Sequence, residues 1–301
     1  MQLMSRRKLL LRSAGVATIA AAGVLADPIR ARSAPPTLSG KSSAGSGRLK
    51  QSVCRWPYSR MPLPDFCRRT KQIGFAAIDL LFPDEWSVAV DAGLMVSMGY
   101  ASRREKFIAT GFNDPANHAL LLGELETALP LAAQAHVPNV IAMFGNRVAG
   151  IDDNAAIANC VAGLAKIAPL AEKLGVTVCV ELLNSKVDHP GYQGDHTAFG
   201  VAVMRGVNSP RVKLLYDIYH MQIMEGDVIR TIRDNSNWIG HFHTGGVPGR
   251  HEINDGQELN YHAIAAAIAD LNYQAYVAHE FVPTRSDPFL SLAEALQICT
   301  V

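Results

Sequence analysis

The sequence predicts an α/β protein: a single (β/α)8 barrel of the TIM type. Three observations predict it. Short, apolar, β-prone runs alternate with helix-forming stretches, the pattern of a parallel sheet with helical crossovers. Eight such strand–helix units fit between residues 50 and 301, close to the ~250 residues that such a barrel needs. Four of the later runs also end on a polar group. Cys179-Val180-Glu181 and Lys213-Leu214-Leu215-Tyr216-Asp217 end on acids, Trp238-Ile239-Gly240-His241-Phe242-His243 on an imidazole, and Tyr276-Val277-Ala278-His279-Glu280 on an acid. Polar residues at the C-terminal ends of barrel strands converge on one site.

The N-terminal segment comes first. Residues 1–34 have the form of a twin-arginine export signal: Ser5-Arg6-Arg7-Lys8-Leu9-Leu10-Leu11, then a small-residue apolar run from Ala14 to Ala26. That run is too short and too weakly apolar to span a bilayer, so no stable membrane insertion is expected after cleavage. The expected location is the periplasm, or otherwise outside the cytoplasm by the twin-arginine route. Residues 35–49, rich in Pro, Ser and Gly, form a linker. The barrel domain is expected over 50–301.

Within the domain, strands are predicted over 51–56, 75–81, 94–100, 139–144, 176–182, 212–217, 238–243 and 275–280. Helices are predicted over 62–72, 83–91, 117–136, 152–174, 197–205, 227–234, 261–270 and 287–298. The third helix carries Leu120, Leu121, Leu125, Leu129 and Ala132 at helical spacing. Asp152 and Asp153 place negative charge at the start of the fourth, and Gly175 stops it.

Composition narrows the partners. There are 28 basic and 27 acidic side chains, a net charge of +1 and 49% hydrophobic residues. That balance gives no electrostatic reason to expect nucleic acid or an acidic membrane. Five cysteines without paired spacing are expected to be core thiols. A small-molecule sugar or hydroxy-keto acid is the expected partner, and a homo-oligomer is compatible with the chain. Three carboxylates and one imidazole aimed at one point suit one divalent metal ion: Mn²⁺, Mg²⁺ or Co²⁺.

Residues 51–301 resemble hydroxypyruvate isomerase, within the xylose-isomerase-like superfamily of sugar isomerases and epimerases. The segments that carry the resemblance include Ser52-Val53-Cys54-Arg55-Trp56, Glu181-Leu182-Leu183-Asn184 and Asp188-His189-Pro190-Gly191-Tyr192. They continue with Tyr216-Asp217-Ile218-Tyr219-His220-Met221, Gly240-His241-Phe242-His243, Val247-Pro248-Gly249-Arg250-His251-Glu252 and His279-Glu280-Phe281. The resemblance implies metal ligands at Glu181, Asp217, His243 and Glu280. It also marks a departure: hydroxypyruvate isomerases often carry Gln where His243 stands, and ketose epimerases of the superfamily carry His.

Aldose–ketose isomerisation moves a proton between neighbouring carbons through an enediolate. It needs an electrophile for the oxygens and a base for the proton. Glu181 and Glu280 are the expected catalytic acid/base pair. Same-face proton return gives isomerisation, opposite-face return epimerisation. His220, three residues past Asp217, and Arg250, in the Gly-rich loop, are expected to bind substrate. Asn184 and His189 are weaker candidates for orienting Glu181, and Trp56 and Tyr58 for an apolar wall. Two other classes stay open. One is an exported, non-catalytic sugar-binding protein on the same scaffold. The other is a metal-dependent phosphodiesterase, which would want more histidines and a basic groove.

Overall fold

Eight parallel strands close on themselves in sequence order, each hydrogen-bonded to the next and β8 to β1. The computed structural model describes residues 47–301. The export signal expected over 1–34 and residues 35–46 of the expected linker lie outside the described residues. The strands are β1 (Lys50–Cys54), β2 (Ala77–Leu81), β3 (Met95–Tyr100), β4 (Asn139–Met143), β5 (Thr177–Leu182), β6 (Val212–Asp217), β7 (Ile239–Thr244) and β8 (Tyr276–His279). The helices are α1 (Leu63–Ile73), α2 (Trp86–Asp91), α3 (His118–Gln134), α4 (Asp153–Leu174), α5 (Thr197–Val207), α6 (Ile218–Met224), α7 (Val228–Asn235), α8 (Tyr261–Asp270) and α9 (Pro288–Ile298). Ahead of β1, the Arg48 N–H bonds the Val301 carbonyl at 2.9 Å and Leu49 is buried.

The expected (β/α)8 barrel is therefore the observed one. β2, β4 and β5 are buried along their whole length, as strands covered on both faces must be. Four of the five apolar positions named on α3 face the core, while Leu120 is half exposed. Asp152 caps α4 by accepting the Ala155 N–H at 2.8 Å, and Gly175 ends it in the left-handed region at φ 70°. All five cysteines are free and buried.

Two local departures from the expected elements shape the site. A seven-residue helix, α6, follows β6 directly. Asp217 caps it, accepting the Tyr219 and His220 N–H groups at 2.8 and 3.3 Å. In β2 the pairing with β3 shifts register on both sides of Asp79, and Leu80 adopts φ 56°. Such a bulge suspends the strict in–out alternation of a strand. Here Asp79 meets the β7 histidines while Leu80, its neighbour, lines the cavity at the mouth.

Candidate active site

The strand ends of β5 to β8 bring Glu181, Asp217, His243 and Glu280 together, as the sequence anticipates. One ligand atom from each lies within 4.8 Å of the others, and all four residues are buried. Strand register does part of the work. Asp217 pairs with His243 across β6 and β7, and the Glu280 N–H continues the ladder by bonding the Thr244 carbonyl at 3.0 Å. Glu181 is fixed from behind, where the Tyr192 hydroxyl donates to its backbone carbonyl at 2.8 Å and accepts the Phe144 N–H at 2.9 Å.

Arg250 reaches this cluster from the loop after β7. Its Nη2 lies 3.0 Å from Asp217 Oδ2 and bonds Glu280 Oε2, and its Nη1 lies 2.7 Å from His220 Nε2. The loop holds it there: the Arg250 carbonyl accepts the Val282 N–H at 2.7 Å, and its backbone sits at φ 57°, a sparsely populated region for a side-chain-bearing residue. His220 is fully buried. Its Nδ1 accepts the backbone N–H of Asn184 at 3.1 Å, and its Nε2 stands 3.6 Å from Asp217 Oδ2. Burial and the Arg250 charge hold this imidazole neutral, well below its ordinary pKa.

The carboxylates diverge. Burial raises Glu181 above the ordinary range and pushes Asp217 up to about 7. Burial also acts on Glu280, but His243 and Arg250 outweigh it and hold that group well below the usual value.

Below the four converging groups lies a layer that the sequence reading missed. Asp79 places Oδ1 3.1 Å from His243 Nε2 and Oδ2 3.0 Å from His241 Nε2, and it accepts a hydrogen bond from Ser97 Oγ. Burial would raise Asp79, but the two histidines outweigh it and keep the carboxylate ionised. The one available signal was an acid in the middle of the apolar run Ala77-Ile78-Asp79-Leu80-Leu81.

The donor set fits a divalent cation. His243 Nδ1 is buried without a hydrogen bond, and it stands 2.7 Å from Glu280 Oε2 and 3.5 Å from Glu181 Oε1. Burial would lower His243, but its neighbours, Glu280 and Asp79 among them, outweigh it and hold the imidazole well above its ordinary value. A cation would take the place of the Nδ1 proton between the two carboxylates, with the Nε2 proton left on Asp79. Four buried carboxylates, Glu181, Asp217, Glu280 and Asp79, also stand against one guanidinium and the His243 imidazole. Uncompensated buried charge costs several kcal/mol per ion, so the excess of negative charge favours a cation at this point.

The remaining candidates separate. Trp56 is in place, but as a donor: its indole N–H bonds Glu280 Oε1 at 2.6 Å. Asn184 supports His220 and ties down the next loop by accepting the Val187 and Asp188 N–H groups at 3.0 and 2.9 Å. His189 lines the cavity rim. Tyr58 does not join the wall; it is buried between Phe66 and Phe289. Glu252 fastens the loop after β8 by accepting from the Thr284 N–H at 2.7 Å and Ser291 Oγ at 2.8 Å, and His251 is exposed. The far wall of the cavity consists of Leu80, Tyr100, Ile141, Met143 and Leu183. Sequence reasoning had no means to distinguish these from core.

Comparison with known proteins agrees with this architecture. A family model described as a xylose isomerase-like TIM barrel matches residues 67–298. The chain is 32% identical over 221 residues to a 2-oxo-tetronate isomerase of Cupriavidus necator, covering 70% of this chain and 83% of the relative. It is 34% identical over 139 residues to a D-psicose 3-epimerase of Agrobacterium fabrum, covering 44% of this chain and 45% of the relative. Among solved structures, an AP endonuclease, family 2, from Brucella melitensis superposes with a TM-score of 0.70 at 24% identity, covering 82% of this chain and 98% of that one. At that identity the likeness speaks to the fold alone.

Proposed function

We propose, from the premise that the chain belongs to the xylose isomerase-like TIM-barrel family, that it is a metal-dependent isomerase or epimerase of a small sugar or hydroxy-keto acid. Its named relatives are isomerases and epimerases, which makes it an enzyme of that kind. The observation that carries the finer reading is the buried convergence of Glu181, Asp217, His243 and Glu280. These four residues would hold one divalent ion: Mn²⁺, Mg²⁺ or Co²⁺. Bound there, such an ion supplies Lewis-acid polarisation of a carbonyl and charge stabilisation for an enediolate.

The chain's own groups do the rest. Glu181 and Glu280 flank His243 and act as the acid/base pair, one taking the carbon-bound proton and the other able to return it. Return by the same residue gives isomerisation; return by its partner from the opposite face gives epimerisation. Trp56 fixes the Glu280 carboxylate through its N–H. Arg250 and His220, which meet each other at 2.7 Å, line the cavity beside Asp217 as the substrate-binding pair. Asp79 holds His243 in the tautomer that leaves Nδ1 free, the usual service of a carboxylate behind a ligating imidazole. The apolar wall keeps water out and so strengthens each of these interactions.

The test is metal removal followed by exchange in D₂O. Metal-free protein is expected to stay folded and inactive, and added Mn²⁺, Mg²⁺ or Co²⁺ to restore turnover and deuterium entry into product. Full activity in rigorously metal-free protein would sink the metal requirement. We also propose that residues 1–34 direct export by the twin-arginine route, ahead of a linker and a barrel domain over 50–301. The Arg6→Lys, Arg7→Lys double variant is then retained in the cytoplasm, and its unchanged export would point to another route.

A further inference from the structure

We propose that the active site continues outward into a subsite for a second sugar ring, so that the substrate class is a glycosylated keto-sugar rather than a free three- or four-carbon keto acid. The inner half of this proposal rests on the isomerase or epimerase reading above. The outer half rests on separate observations.

The cavity over the carboxylates measures about 540 Å³. A keto acid of nine heavy atoms occupies on the order of 150 Å³ at interior packing density, so it would leave most of that space open. A second cavity of about 780 Å³ adjoins the first and shares Tyr100, Phe107, Ile108 and His189 with it. Residues 102–109, between β3 and α3, build most of its wall, together with Asn146 and Pro190.

Its surface suits a ring with one apolar and one hydroxylated aspect. Tyr100 stacks on Phe82 at 4.6 Å, and Phe107 meets Tyr100 edge-on at 5.4 Å. The column therefore runs from the outer cavity to the inner one. Arg103 covers Phe82 at 3.8 Å, so the aromatic surface left for the C–H face of a sugar is that of Tyr100 and Phe107, with its hydroxyls turned to polar neighbours. Such neighbours are Ser102, Asn146 and His189, which line the outer cavity.

Charge decides between a sugar and a phosphate. Arg103 is paired with Asp84 at 2.8 Å, Arg104 with Glu124, and Glu105 offsets Lys106 in the same wall. The outer cavity thus has guanidiniums but little free positive charge. That matches a neutral polyhydroxyl ring, whereas a phosphate calls for unpaired arginine.

The experiment compares fructose with its glucosylated forms, maltulose and isomaltulose. Binding to the metal-loaded protein is measured by calorimetry, and deuterium uptake from D₂O is followed in parallel. At least one glucosyl-ketose is expected to bind about tenfold more tightly than fructose, the gain of one or two net hydrogen bonds. Ser102→Trp and Ala109→Trp fill the outer cavity from two positions, and either one, if folded by its melting curve, is expected to erase that advantage. Equal or weaker binding of both glucosyl-ketoses, or no binding at all, overturns the subsite. An advantage that survives in the folded variants overturns it as well. Deuterium entering fructose without any glucosyl advantage leaves the reaction standing and removes the subsite. A glucosyl advantage without deuterium in any sugar keeps the subsite and removes the reaction.

Discussion

The mouth of the barrel has two unlike halves. The ends of β5 to β8 present Glu181, Asp217, His243 and Glu280, every one ionisable and buried. The ends of β1 to β4, with the turns just beyond them, present Trp56, Leu80, Tyr100, Ile141 and Met143, of which none carries charge. The charged half is expensive. Its carboxylates lose hydration, and each is fastened by a second group: Arg250 to Asp217 and Glu280, Asp79 to His243, Tyr192 to the Glu181 backbone. The apolar half is cheap to bury and needs no such fastening. Yet it lowers the local dielectric, so that each interaction opposite is stronger than it would be in water. On the proposed reading, chemistry and the medium for chemistry thus come from opposite sides of one ring.

The largest effect should come from the charged half. Glu181→Gln and Glu280→Gln keep the volume and a carbonyl oxygen but cannot accept a carbon-bound proton. Each is expected to lower kcat about 10³-fold, the range of positioned general acid/base catalysis. The double variant is expected to lose far less than the product of the two, since both act on one reaction coordinate. Deuterium exchange at matched metal occupancy assigns the faces, because the variant lacking the first base also fails to exchange. Near-parental turnover in both single variants would take the carboxylates out of the mechanism and break the division between the halves.

The two halves were also unequally legible in the sequence. An acid at the end of an apolar strand has no partner in its own element, so Glu181, Asp217 and Glu280 stood out, and so did the histidine of Gly240-His241-Phe242-His243. Arg250 and His220 followed from their place just past those ends. The apolar half gave no such contrast, because Leu80, Tyr100, Ile141 and Met143 have the composition of any buried strand. Asp79 was missed for another reason. Its inward direction depends on the bulge at Leu80, and a register shift is set by the neighbouring strand rather than by local sequence. The helix Ile218–Met224 was missed because its start is made by the Asp217 side chain, which was already assigned to the site.

Asp79 gives the next effect and sharpens the comparison, since it comes from the apolar half's own strand, β2, yet serves the charged half. Asp79→Asn removes the charge beside His243 Nε2 and His241 Nε2. Metal affinity is expected to weaken about 10- to 100-fold, the range typical of a lost partner behind a metal-binding imidazole. At saturating metal, kcat is expected to return toward the parental value. That recovery distinguishes positioning from chemistry: a variant whose kcat stays low with the site full of metal would give Asp79 a direct part in proton transfer. Unchanged metal affinity would instead confine it to packing under the barrel.

The smallest effect concerns Trp56, which reaches from the apolar half to Glu280, a member of the proposed acid/base pair. Its indole N–H donates to Glu280 Oε1 at 2.6 Å, while its ring lies 5.6 Å from the Arg250 guanidinium. Trp56→Phe deletes the donor and keeps an aromatic face. Hydrogen bonds to charged acceptors contribute about 1.5–3 kcal/mol when well buried. Trp56 is 39% exposed, so water can replace part of this one. Arg250 also continues to hold the other Glu280 oxygen. The net loss should therefore lie near 1 kcal/mol, a fall in kcat of roughly fivefold with metal affinity unchanged. A loss as large as that of Glu280→Gln would mean that Trp56, not Arg250, fixes the carboxylate. A parental kcat would mean that the apolar half acts only as a low-dielectric wall, with no directed contact to the chemistry across the mouth.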